Sequence, residues 1–184
     1  MTKVGILVGS LRKESFSKKL AANVASLFPE GYETEFVEIG NLALYNQDFD
    51  DDNNVPSEYT SFRNTMKEIE AVLFVTPEYN RSIPAVIKNA LDVGSRPYGA
   101  SVWNGKPAAI ISNSPGRLSG FGANHHLRQP LVFLNMPILQ QPEAYIGNVA
   151  DLLDENGKIK DEGMAKFLQS FVDAFVDMIK RHQV

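Results

Sequence analysis

The chain contains no cysteine. That absence excludes disulfides, thiolate nucleophiles and iron–sulfur clusters together. No apolar run approaches the ~20 residues needed to span a bilayer, so no membrane partner is expected. No charged-apolar-small pattern precedes the first strand, so no secretory leader is expected, and a cytoplasmic location is the default. The net charge of −4 gives no basic surface for nucleic acid. Two phosphate-binding signatures are missing as well. There is no Gly-Lys-Ser/Thr, which removes the nucleoside-triphosphate loop. There is no Gly-x-Gly-x-x-Gly, which removes the dinucleotide fingerprint.

Metal sites find little support. Asp48, Asp50 and Asp52 are spaced like the start of an EF-hand loop. However, Asn53 stands where the glycine belongs, Tyr59 where the bidentate glutamate belongs, and no helix precedes the run. The acidic stretch reads instead as a solvated loop. His125 and His126 are adjacent, so on a helix they face different ways and form no i, i+4 ligand pair.

The sequence itself has 184 residues, 43% hydrophobic and 22% charged. That is the size and composition of one globular domain spanning residues 1–184. Its organising stretch is Gly9-Ser10-Leu11-Arg12-Lys13-Glu14-Ser15-Phe16-Ser17. The apolar run Val4–Val8 before it reads as a buried strand. The segment after it, from Lys18 to Phe28, places Leu20, Val24, Leu27 and Phe28 at helical spacing. A polar turn thus joins a strand to a helix start, where unpaired N–H groups and the helix dipole favour an anion. Ser10, Ser15 and Ser17 add hydroxyls, and Arg12 adds a planar fork suited to phosphate. With the two signatures absent, a monophosphate such as flavin mononucleotide (FMN) leads. Ser15 as a mere helix cap and Arg12 as a solvated side chain form the competing reading of this turn.

Further along, Tyr32–Ile39, Ala71–Val75, Lys106–Ser112 and a short Pro137–Leu139 read as strands. Helices are expected near Glu58–Glu68 with Ser57 as cap, Pro84–Gly94, Ala123–Leu134 and Met164–Arg181. Asn41–Pro56 is a long polar loop, a length usually reserved for function. Strands alternating with helices imply an α/β, flavodoxin-like three-layer sandwich. Its sheet is five-stranded, parallel and of order 2-1-3-4-5, with helices on both faces. In that order strands one, three and four are adjacent, so the turns after them converge on one crevice. The second turn, Thr76–Pro84, would offer backbone to a ring edge, with Tyr79 over its face or mouth. Glu78 reads equally as a helix N-terminal carboxylate. The third turn carries Gly116, Gly120 and Gly122, which allow close backbone approach. Arg117 there reads as a solvated residue, with a cationic rim residue that meets a nicotinamide nucleotide's phosphate as the alternative. No nucleophile or acid–base dyad stands out, which suits chemistry carried by a cofactor.

Several stretches resemble the NADPH-dependent FMN reductase family, the flavodoxin-like group of quinone, chromate and azo-dye reductases. They are Gly9–Ser17, Leu44-Tyr45-Asn46-Gln47-Asp48, Pro77–Pro84, Lys88-Asn89-Ala90-Leu91-Asp92, Trp103-x-Gly105-Lys106-Pro107 and Gln140-Gln141-Pro142-Glu143. The resemblance implies non-covalent FMN. Ser10, Arg12, Ser15, Phe16 and Ser17 would lie on the phosphate side. Pro77, Glu78, Tyr79, Asn80 and Arg81 would lie along the isoalloxazine, and Ser114 and Gly116 on the third side. It also implies NADPH or NADH as co-substrate, a ping-pong hydride relay to quinones, flavins or azo compounds, and a dimer or tetramer. Ser17 occupies a position often held by Asn in the family, and Arg81 one often held by Tyr, which makes the outer face more cationic here. Leu127, Leu131, Val132, Phe133, Leu134 and Met136 offer more apolar surface than one sheet face requires, in keeping with self-association, in which the Leu44–Asp48 loop would rim a neighbour's flavin pocket; an ordinary core helix is the competing reading. A flavodoxin-type electron carrier, and a flavin-free regulatory or scaffolding module, stand as alternatives.

Overall fold

The computed structural model describes residues 1–182. Its elements are β1 (Thr2–Val8), α1 (Phe16–Ala25), β2 (Tyr32–Phe36), α2 (Asp48–Asp51), α3 (Ser57–Glu68) and β3 (Ala71–Thr76). They continue with α4 (Ala85–Gly94), β4 (Ala108–Asn113), α5 (Phe121–Phe133), β5 (Ala144–Ile146) and α6 (Glu162–His182). All neighbouring strands pair in parallel, in the order β2-β1-β3-β4-β5. The expected flavodoxin-like topology is therefore present. No helix among the described residues is long and apolar enough to cross a membrane.

The pleat explains the two cores. Side chains alternate across β1, so Val4, Ile6 and Val8 join one core while Leu7 joins the other. The first core lies under α1 and α6, with Leu20, Val24, Phe171, Phe175 and Ile179. The second lies under α3, α4 and α5, around the fully buried Trp103 and Phe74. Every residue of β3 and β4 is buried, as expected for central strands covered on both faces. Each such Val, Leu or Ile contributes roughly 1.5–3 kcal/mol of burial.

Several boundaries differ from the sequence expectation. The fifth strand is Ala144–Ile146, not Pro137–Leu139. The earlier segment makes only a single bridge, Ala108 to Ile138, beside the start of β4. Around that bridge Ala108 donates to Pro137 O and accepts from the Leu139 N–H, and regular pairing begins only where Ile111 meets Ala144. Pro137, without an N–H, cannot extend the ladder upstream. Pro56, not Ser57, holds the cap position of α3, and no side chain caps that end. β2 ends at Phe36, although Val37 and Ile39 beyond it are still buried. β4 begins at Ala108. Helix α1 begins with Phe16 and ends at Ala25, α5 begins with Phe121, and α6 runs from Glu162 to His182.

Candidate functional site

The first turn leaves β1 by extending the sheet, with the Gly9 N–H donating to Val75 O at 2.9 Å. Ser15 then caps α1. Its backbone is extended (φ −80°, ψ 123°), and its Oγ accepts from the Lys18 N–H at 3.2 Å. The first turn of α1 contains no acidic residue, so nothing in the helix itself offsets its positive end. Ser10, Ser15 and Ser17 are all buried. Ser17 Oγ accepts from Asn113 Nδ2 at 2.9 Å, and Asn113 also donates to Thr76 O at 3.2 Å. The amide fixes Ser17 as acceptor and leaves its hydroxyl proton available to Asn113 Oδ1, 3.2 Å away, or to a ligand. Arg12 is exposed, and among the described residues it has no hydrogen-bond or ion-pair partner.

The second turn is built differently. Tyr79 and Ser82 exchange both backbone hydrogen bonds, at 2.9 and 3.0 Å. Asn80 (φ 51°) and Arg81 (φ 64°) sit between them in the left-handed region. This is a two-residue hairpin turn of type I′. Behind it, Glu78 uses both carboxylate oxygens. Oε1 accepts from Arg81 Nη1 at 3.1 Å, and Oε2 accepts from the Ala123 N–H at 3.0 Å. Helix α5 starts after Gly120 (φ 72°), which has no capping side chain, so Glu78 caps it from another loop. A Cβ on Gly122 would stand 2.8 Å from Arg81 O and 2.9 Å from Glu78 Oε2, so only glycine lets α5 dock this closely. Glu78 does meet a helix N-terminus, but that of α5. With both oxygens engaged, its side chain is a brace between two turns.

The third turn is tied on both sides. The Ser114 N–H donates to Ile146 O at 3.0 Å, and Ser114 Oγ accepts from the Gly116 N–H at 3.0 Å. The two histidines of α5 point apart as expected. His125 pairs with Tyr145 Oη and His126 with Ser82 Oγ, each at 3.0 Å. Burial, then the neighbouring Glu143, pushes the Tyr145 hydroxyl up to about 12.

The long loop differs from the solvated reading. Asp50 lies in α2 with its side chain nearly enclosed, and it meets the Arg63 fork at 2.6 and 2.8 Å. The hydrogen bond from Arg63 holds the Asp50 carboxyl below its ordinary range despite burial. Arg63 also lies 5.4 Å from the Tyr59 ring centre and donates to Val93 O. Asn89 of α4 completes the anchoring. It donates to Leu42 O and Ala43 O and accepts from the Tyr45 N–H. The acidic run therefore contributes one residue to an internal brace, and Leu44 is left projecting, 77% exposed.

The three turns enclose a cavity of about 250 Å³. Ser10, Arg12, Ser15, Phe16, Ser17, Pro77, Glu78, Tyr79 and Ser114 line it, joined by Asn113 and Pro115. Asn80, Arg81 and Gly116 stand outside its wall: the first two at the hairpin tip, the third just past Ser114. Asn113 and Pro115 line the cavity without having been singled out by the sequence pattern. The available signal was Ser112-Asn113 closing an otherwise apolar strand. A somewhat larger cavity, about 330 Å³ beside Arg96, Tyr98 and Phe133, shares no lining residue with the three turns.

An open parallel sheet with a polar crevice at its switch point defines a nucleotide-binding α/β protein of flavodoxin-like architecture. Residues 2–151 match the model of the NADPH-dependent FMN reductase family, and the chain belongs to that family. It is 52% identical over 177 residues to a quinone reductase of Pseudomonas putida, covering 96% of this chain and 94% of that protein. It is 44% identical over 182 residues to a 2-hydroxy-1,4-benzoquinone reductase of a Burkholderia species, covering 99% and 98%. The solved structure of FerB, a flavoenzyme NAD(P)H:(acceptor) oxidoreductase from Paracoccus denitrificans, superposes with a TM-score of 0.92 at 42% identity. It covers 99% of both chains.

The donor set fits FMN. An unpartnered guanidinium, buried hydroxyls and an uncompensated helix start meet on one side, as a phosphate dianion requires. The cavity is smaller than the roughly 300–1,000 Å³ of pockets that engulf their ligands, so a flavin ring would keep an open face.

Proposed function

We propose that the protein is an NAD(P)H-dependent oxidoreductase that holds FMN non-covalently and reduces small-molecule acceptors, quinones foremost. The observation that carries this reading is the convergence of unpartnered Arg12, the α1 start and the rigid second turn on one cavity. In this reading Arg12, Ser10, Ser15, Ser17 and the first N–H groups of α1 hold the phosphate. Phe16 gives the cavity an apolar wall. The Pro77–Asn80 backbone flanks the ring, Tyr79, half exposed, stands at its mouth, and Ser114 and Gly116 close the third side. Bound FMN supplies hydride acceptance and release. The protein's part is to orient the ring and leave one face open. Donor and acceptor use that face in turn, which yields ping-pong kinetics and broad acceptor choice.

The naming of the relatives supports quinones as acceptors, and the family favours an enzyme over an electron carrier. The whole chain acts as one FMN-binding unit. Val132 (69% exposed) and Phe133 (84%) support self-association. Dependence on NAD(P)H supports the expected cytoplasmic location.

The test is a visible spectrum of protein loaded with FMN and freed of excess. Retained flavin bands should bleach with anaerobic NADPH or NADH and return with benzoquinone. Bands that persist with both nucleotides would assign an electron carrier, and loss of all flavin would overturn the cofactor assignment.

A further inference from the structure

Arg81 occupies a costly place. Position three of a type I′ turn strongly prefers glycine, because φ there is positive. Arginine at φ 64° is a conformation that side-chain-bearing residues seldom take. Asn80 before it is a residue the turn tolerates, and Arg81 is not. Such an outlier points toward function when the side chain also has work available. Here the side chain is 71% exposed and makes one ion pair, from Nη1 to Glu78. Most of its N–H donors are left uncommitted.

Glu78 decides where the guanidinium sits. That carboxylate is only 10% exposed and is pinned on its far side by the Ala123 N–H. It anchors the arginine at the edge of the cavity wall formed by Glu78 and Tyr79. The ion pair sets the guanidinium beside that wall. Arg12, on the cavity's other flank, is taken up by the FMN phosphate in the proposed reading. Arg81 is left as a second, outward-facing fork at the open side, where the other substrate must enter. The chain carries a net −4, so a strongly anionic nucleotide needs a local cation to approach this mouth.

We propose that Arg81 is a specificity-determining residue that binds a phosphate of the incoming pyridine nucleotide, placing its nicotinamide over the open face. This rests on the oxidoreductase reading above. A guanidinium fork matches phosphate, and neither a neutral quinone nor a flavin ring offers it a comparable partner.

The test uses FMN-loaded wild type, Arg81→Gly and Arg81→Lys. Glycine suits the turn better than arginine, so the hairpin persists without the side chain. Lysine keeps the charge and loses the fork. Calorimetric titration with NADP⁺ and NAD⁺ reads binding without turnover. Arg81→Gly should raise the NADP⁺ dissociation constant on the order of tenfold, and Arg81→Lys should recover part of it. Weakening greater for NADP⁺ than for NAD⁺ assigns the 2′-phosphate, and equal weakening assigns the pyrophosphate. For turnover, the reductants are NADPH and 1-benzyl-1,4-dihydronicotinamide, which carries no phosphate. The ratio of their kcat/KM values should fall on the order of tenfold in Arg81→Gly. Unchanged NADP⁺ affinity, or equal losses with both reductants, would overturn the proposal. Wild type that neither NADPH nor NADH reduces would instead overturn the oxidoreductase reading.

Discussion

The first and second turns lie on the same cavity and follow opposite plans. Among the described residues the first keeps its strongest donor, Arg12, unpartnered, and it uses Ser15 for a cap and Ser17 for one amide. The second is tied down apart from the exposed Arg81 fork. Its hairpin closes on itself, both oxygens of Glu78 are engaged, and Ser82 meets His126. One turn presents donors along its length, and the other holds a shape from which a single fork, Arg81, projects. A flexible polar anion needs the first kind of surface, because charge-assisted bonds tolerate adjustment. A flat ring needs the second, because stacking and edge contacts depend on a fixed wall.

The largest break in that comparison should come from Glu78→Ala. It removes the cap of α5 and leaves the Ala123 N–H without its acceptor, while Arg81 loses its anchor. We expect about 2–3 kcal/mol of lost stability in urea unfolding, because a part-buried donor is orphaned. Glu78→Gln keeps an oxygen for Ala123 and should lose less than half of that. If alanine costs no more than glutamine, the second turn is not held by this brace.

Arg12→Ala should behave in the reverse manner. The side chain has no partner among the described residues, so the apoprotein's stability should stay within about 0.5 kcal/mol. FMN affinity should fall by roughly 1.5–3 kcal/mol, about ten- to hundredfold, through loss of charge-assisted bonds. A flavin titration reads the second effect and urea the first. Stability lost without affinity lost would make the two turns alike.

The same contrast sets what the sequence could reveal. The first turn was legible because its plan is local: strand, serines, arginine and helix follow one another, and Ser15 caps the helix that begins at the next residue. The sheet order was legible because alternating apolar runs and helical periodicity leave few topologies open. The second turn was legible only as a polar, proline-bounded stretch. Its brace joins Glu78 to Ala123, residues far apart in sequence, and no spacing announces such a pair. Asn113 was overlooked for the same reason, since its partners Ser17 and Thr76 come from other elements. Asp50 looked like one of a solvated run because nothing local marks Arg63 as its mate. Pro137–Leu139 carries strand propensity, yet it meets β4 at one bridge only, and nothing local marks Ala144–Ile146 as the strand that pairs there.

The smallest expected effect tests where the two plans overlap. Ser15 both caps α1 and faces the cavity. As a cap its Oγ accepts from the Lys18 N–H, which leaves its own proton free to donate to a phosphate. The two roles are compatible, and linkage separates them. Ser15→Ala should lower apoprotein stability by about 1 kcal/mol, the usual loss of a helix cap. If Ser15 only caps, saturating FMN should stabilise mutant and wild type by the same increment. If it also donates, the mutant's increment should be smaller by roughly 0.5–1.5 kcal/mol, one hydrogen bond's net worth. Thermal unfolding with and without FMN reads both quantities. An equal increment would leave the phosphate to Arg12, Ser10, Ser17 and the helix start alone.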